Sequence, residues 1–371
     1  MFPLILSNGP PTAAGLKRVA AAGATHVRTG IPDWSIELVD GQLQNERARL
    51  DAAHAAGLHC WVLLGATPNL PPQPGSDREK LLARIVDGLT GHPALGAWKG
   101  IDEPAWGKIP AAGLVRAYKK IKQLDPAHPV VLIQAPRGTV AQLTPYRPAC
   151  DVMGVDIYPV SYPPGIHAGR ANRDISVVGD VTRTLRAAAG SKPVWTTLQI
   201  AWSGVTKPGT VPRFPTLHEE RFMAYQAIVA GARGLAFFGG QLPQVMRPAD
   251  ARAGWNWTFW QEVLEPLLTE LSSTAVGPAL LAPAAKAQVK ATAADVELST
   301  RAAGRFLYVI AVRRGGATNQ VTFSGLPPSV GGGQALFEYV DREFRTVTVR
   351  GGAFRDWFGP HDARVYRFAH A

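Results

Sequence analysis

The chain has 371 residues, 46% of them hydrophobic, with two cysteines and a formal charge of +11. That length fits one barrel-sized unit of about 250 residues plus a smaller unit, and no apolar run reaches the roughly 18 residues of a membrane span. Cys60 and Cys150 begin apolar runs and read as buried thiols, which excludes a disulfide framework, and the scattered Lys and Arg, without any nucleic-acid-binding motif, exclude a nucleic-acid partner.

The elements alternate along the chain. A first apolar run, Pro3–Ser7, ends at Asn8 and is followed by a helix over Thr12–Ala22, capped by Thr12 and closed by Gly23. Then come run Thr25–Arg28 and helix Asn45–Ala56, run His59–Gly65 and helix Asp77–Thr90, run Gly96–Ile101 and helix Ala111–Leu124. The second half repeats the pattern: Val130–Ile133 with a short helix at Thr139–Leu143, Asp151–Val155 with Val177–Ala189, Pro193–Leu198 with Leu217–Ala230, and Gly234–Phe238 with Trp257–Leu271. Strands written as continuous apolar runs between helices describe a parallel sheet buried on both faces. Eight such units predict a closed (β/α)8 TIM barrel over residues 1–275. No glycine-rich phosphate loop opens the first helix, which weighs against a doubly wound nucleotide-binding sheet.

The period changes near Pro283. Short alternating segments follow at Ala287–Lys290, Val296–Ser299, Phe306–Val312, Gln320–Phe323, Ala335–Tyr339, Thr346–Val349 and Ala363–Phe368, with Gly331–Gly333 among the turns. They predict an antiparallel β-sandwich over residues 283–371. Met1–Leu6 is apolar but lacks a basic n-region and a cleavage site. The expectation is a cytoplasmic protein, or a secreted or periplasmic one whose leader has been removed.

In this barrel the chemistry sits at the C-terminal ends of the strands. The polar residues there are Asn8, Arg28, Asp102, Glu103, Gln134, Asp156, Tyr158 and Gln199, with Trp34, Trp98, Trp106 and Trp202 nearby. Carboxylates, amides and indoles together describe a sugar site: acids and amides bond hydroxyls, and indole faces stack on pyranose rings. Asn8, Arg28, Trp34, Trp98, Asp102, Gln134, Tyr158, Gln199 and Trp202 are therefore the expected substrate-binding residues. His26, His54, His59 and His92 have no metal-ligand spacing, so neither a metal nor another cofactor is expected.

The stretch GAWKGIDEPAW carries the most information. Pro104 forbids helical geometry at Glu103 and fixes where the chain leaves the strand. A carboxyl group beside indole surface is a candidate general acid. The acid–Glu–Pro ending of strand four resembles the acid/base position of the large clan A of retaining glycoside hydrolases, which includes β-galactosidases, cellulases and agarases. The resemblance implies a glycosidase acting on an oligo- or polysaccharide, with Glu103 as general acid. The clan's usual pair is Asn-Glu where this chain has Asp102–Glu103, and its common strand-eight Trp is replaced by Gly239–Gly240. Its strand-seven nucleophilic Glu is replaced by Gln199, an amide. The second carboxylate is then Asp156, placed on the same side of the chain as Tyr158; the alternatives are Glu219 or Glu220. Two rival readings stand beside this one: a non-catalytic glycan-binding barrel, which Gln199 favours, and a carbohydrate lyase on the same fold.

Overall fold

The computed structural model describes residues 1–161, 170–201, 209, 213–338 and 344–369. Eight parallel strands close into a barrel in sequence order: β1 (Leu4–Ser7), β2 (His26–Gly30), β3 (His59–Leu63), β4 (Leu95–Lys99), β5 (Val130–Gln134), β6 (Val152–Asp156), β7 (Val194–Gln199) and β8 (Leu235–Phe238), with β8 pairing back onto β1. The outer ring includes α1 (Ala13–Ala21), α2 (Val39–Ala55), α3 (Asp77–Leu89), α4 (Ala111–Leu124), α5 (Val140–Leu143), α6 (Val177–Ala189) and α7 (Leu217–Ala230). The lower barrel interior is filled by Ile5, Trp61, Ala97, Val131, Ile133, Val152, Trp195 and Ala236. It is a packed core whose top remains open, as the fold requires. No helix among the described residues is long and apolar enough to cross a membrane.

Two boundaries differ from expectation for physical reasons. Helix α2 starts at Val39 rather than Asn45. Asp40 and Gly41 resemble turn residues, yet Val39, Leu43, Glu46, Leu50 and Ala53 form one buried stripe at helical spacing, and that burial overrides the local signal. Strand β4 ends at Lys99, two residues before Ile101, because its pairing with β5 stops at Lys99↔Val131. Residues 100–103 thus leave the sheet as a loop, tied to β5 by Gly100 N donating to Val131 O and Glu103 N donating to Ile133 O, both at 2.9 Å.

The C-terminal region folds as a β-sandwich of two antiparallel sheets. The first has β10 (Val296–Ala303), β11 (Phe306–Arg313), β16 (Ala363–Ala369), β13 (Gly332–Leu336) and β14 (Phe344–Thr348), in that order. The second has β15 (Ala353–Phe358), β12 (Asn319–Ser324) and β9 (Lys290–Ala291). Strand β15 departs from expectation, since its Ala-Phe-Arg-Asp-Trp-Phe run lies between glycines and a Gly-Pro pair. Strand β13 begins within the expected Gly331–Gly333 turn. A Cβ on Gly333 would lie 2.3 Å from the Phe368 ring, so glycine is what lets the two strands pack there.

The first sheet packs on α7. That helix buries Phe222, Met223, Ala224, Tyr225, Ala227 and Ile228, apolar nearly all round, because barrel and sandwich cover opposite sides. Arg221 bridges the two by pairing with Glu270 at 2.8 Å and donating to Ala363 O.

Helix α7 also places the alternative acids. Glu219 closes a capping box with Thr216 and pairs with Arg213. Glu220 is fully buried, and neither of its carboxyl oxygens has a hydrogen-bond partner among the described residues. Burial, and then the neighbouring charge of Glu219, push its pKa well above the usual carboxylate range. A carboxyl whose folded pKa is raised loses stability as pH climbs from its unfolded value towards the folded one. Glu220→Gln is therefore expected to stabilise the fold by about 1–3 kcal/mol at neutral pH and to change little near pH 4. Thermal unfolding at the two pH values checks this; equal melting shifts at both would contradict it.

Candidate active site

The barrel mouth holds a cavity of about 240 Å³, lined by residues from all eight strands and from the loops after β4 and β6. Its polar side chains are Ser7, Arg28, Lys99, Asp102, Glu103, Asp156, Tyr158 and Thr197; Trp61, Ile133 and Phe238 complete it. The volume lies just below the roughly 300–1,000 Å³ of drug-sized ligand sites, a scale suited to one ring at a time.

Glu103 stands on the loop beyond β4 with φ of 45°, in the left-handed region that a side chain with a Cβ rarely adopts. Pro104 does exclude the right-handed helix here, but the residue turns left-handed rather than extended. Neighbouring bonds hold it so. Its N–H donates to Ile133 O, its carbonyl accepts from Gly107 N at 2.9 Å, and Ala105 N donates to Gln134 Oε1 at 3.1 Å. Strain of this kind persists only where the surroundings over-determine it, and it concentrates at functional sites.

Asp156 ends β6 and lies against the Glu103 carboxyl and the Tyr158 hydroxyl. Its Oδ1 is buried with no hydrogen-bond partner among the described residues. Burial first, then the charge and proximity of Glu103, drive its pKa well above the usual carboxylate range; the Tyr158 hydroxyl, which donates to it, opposes the shift. Tyr158 is also buried, with its ring stacked on Phe238 at 5.4 Å.

The cations are built into the same wall. Lys99, inward on β4, is buried, donates to Asp102 at 2.5 Å, and lies 5.6 Å from the centre of the Trp61 ring. Arg28 donates to Asn8 Oδ1 at 2.5 Å and acts electrostatically on Asp102 and Tyr158. Asn8 has φ of 94°, a conformation asparagine tolerates better than most residues. Crowding at the mouth works against ionisation of Asp102, but Lys99 and then Arg28 more than offset it and lower its pKa. Its side chain is 61% exposed, so solvent screens much of that effect.

The structure brings Arg28, Asp102, Glu103, Asp156 and Tyr158 together around the cavity, with Asn8 just behind Arg28. Four other expected residues are placed elsewhere. Trp98 is fully buried on the outer side of β4 and donates to Asp125 Oδ2 at 2.9 Å. Trp34 is buried and donates to Leu63 O at 3.0 Å. Gln134 braces the Glu103 loop from below through Ala105. Gln199 is fully buried and clamps Val160, accepting from its N–H at 2.7 Å and donating to its carbonyl at 2.8 Å. Trp98, Trp34 and Gln199 thus spend their polar groups inside the fold, whereas the Gln134 amide nitrogen is buried without a hydrogen-bond partner among the described residues. Trp202 lies outside the described residues.

Sequence reasoning missed Ser7, Trp61, Lys99, Ile133, Thr197 and Phe238. A lysine at the end of an apolar strand, three residues before Asp102, was the signal available for Lys99. The strand-eight position is filled by Phe238, while Gly239 has φ of 106° and Gly240 lies under the Trp255 ring, where a Cβ would be 2.5 Å away.

No protein-family model matches this chain, and no curated protein matches it in sequence. Solved structures do share its fold. A glycoside hydrolase of family 5 from Bacteroides vulgatus superposes with a TM-score of 0.64 at 14% identity, covering 100% of this chain and 89% of that one. A family 30 endoxylanase from Clostridium papyrosolvens gives 0.57 at 12%, covering 100% and 97%. An α-amylase from Geobacillus thermoleovorans gives 0.61 at 11%, covering 96% and 91%. At these identities the likeness is one of fold: the chain is a TIM barrel with a C-terminal β-sandwich, the architecture of glycoside hydrolases that bear different substrate names.

Proposed function

We propose that this protein hydrolyses a glycosidic bond in an oligo- or polysaccharide, with Glu103 as general acid and Asp156 as its partner carboxylate. The observation that carries the reading is the Glu103–Asp156 pair at the barrel mouth, one member on a strained turn and the other deeply buried. Burial and then the Glu103 charge raise the pKa of Asp156, so Asp156 keeps its proton above the usual carboxylate range. Glu103, nearer the opening, relays that proton to the departing glycosidic oxygen. Asp156 is left charged, and that charge faces the oxocarbenium-like transition state. A water then adds to the anomeric carbon and returns its proton to Asp156 through Glu103. Arg28 and Asp102 are the groups that would hold hydroxyls.

A second reading is a glycan-binding barrel without catalysis. The inward residue of β7 at the cavity is Thr197, so that strand offers no carboxylate. Hydrolysis of a panel of aryl glycosides and polysaccharides, paired with calorimetric binding to the same polysaccharides, separates the two. Turnover that disappears in Glu103→Gln supports the glycosidase; binding without turnover would establish the second reading.

A further inference from the structure

Beside the mouth lies a second cleft of about 390 Å³, lined by Ala105, Trp106, Arg137, Gly138, Gln142 and Tyr146. Trp106 is 58% exposed, and the Arg137 guanidinium lies over its ring at 4.5 Å from the centre. Trp106 stands on the turn that carries Glu103, closed by Gly107 N donating to Glu103 O and Ile109 N donating to Pro104 O, both at 2.9 Å. Tyr146 pins the far end of that turn by donating to Ile109 O at 2.7 Å, and Gln134 pins its middle through Ala105. A large indole left open to water contributes little to folding, yet this one is held on a rigid turn against a cation. Such preorganisation lowers the cost of ligand binding.

We propose that Trp106 and Arg137 form a sugar subsite on the leaving-group side of the scissile bond. The inference rests on the general-acid reading of Glu103. A general acid lies beside the departing oxygen, so the residues just after Glu103 on the same turn face the departing half of the glycan. The indole stacks on the apolar face of a pyranose ring. Arg137 fixes the indole's orientation and donates hydrogen bonds to ring substituents.

The test compares Trp106→Ala and Trp106→Phe with the parent protein on two substrate types. Aryl glycosides have no sugar on the leaving side; xylohexaose and maltohexaose do. Trp106→Ala is expected to lower kcat/KM on a cleaved hexaose about tenfold, mainly through KM, to leave the aryl glycoside within about twofold, and Phe is expected to restore part of the loss. Equal effects on both substrate types, or none on the hexaose, would overturn the subsite. In parallel, both hexaoses are titrated calorimetrically into Glu103→Gln with and without Trp106→Ala. If nothing is hydrolysed but Trp106→Ala weakens hexaose binding, the sugar platform stands and the hydrolase reading falls. If neither hexaose binds in the presence of Trp106, the proposal is overturned.

Discussion

Glu103→Gln is expected to lower kcat about 10²–10⁴-fold on a glycoside with a poor leaving group while the fold stays intact. The amide keeps the size and the left-handed turn but cannot give up a proton to the departing oxygen. A substrate whose leaving group departs as a stable anion should lose much less. Asp156→Asn should inactivate both kinds of substrate, because the charge facing the transition state is gone whatever the leaving group. The pH dependence stems from the proton on Asp156. Since burial and then Glu103 raise the pKa of Asp156, Asp156 keeps its proton above the usual carboxylate range, and activity should fall only as pH rises through that raised value. The same shift means that ionising Asp156 works against folding at neutral pH. Asp156→Asn should therefore melt no lower than the parent while being inactive. Rates across pH with both substrates, alongside thermal melts, check these outcomes. An Asp156→Asn protein with near-parental turnover would remove Asp156 from the chemistry.

Gln199→Ala is expected to cost about 2–4 kcal/mol of stability, because it leaves the N–H and C=O of Val160 buried and unpaired. The segment from Asp156 to Val160 also carries Tyr158, so loosening it should lower kcat rather than raise KM alone. Gln199→Glu should not create a nucleophile. It keeps an acceptor for the Val160 N–H but sets a second acceptor against the Val160 carbonyl, so it should destabilise the fold more at pH 7 than at pH 5, where the acid is more readily protonated. Melting curves at both pH values and steady-state kinetics decide the matter. Unchanged melting with a raised KM would return Gln199 to a sugar-binding role.

The sequence by itself determined the barrel, because parallel strands buried on both faces are written as apolar runs between capped helices, and eight of them appear in order. It also determined that Glu103 and Asp156 leave strand ends on the same side of the fold: Pro104 fixes one exit, and the two-residue step from Asp156 to Tyr158 fixes the other. What it could not supply was which face of each strand looks into the barrel. In a strand that is apolar throughout, no polar alternation marks the inner side. Trp98 and Lys99 are neighbours on β4, yet one packs outward against Asp125 and the other points into the mouth. Gln199 and Gln134 carry the amides a sugar site would use, but Gln199 gives both its amide atoms, and Gln134 its oxygen, to backbone groups of adjacent loops. Those pairings join residues 29 and 39 positions apart. Only the closed barrel brings such partners within hydrogen-bonding distance, so only the tertiary structure decided which polar groups remain to face a ligand.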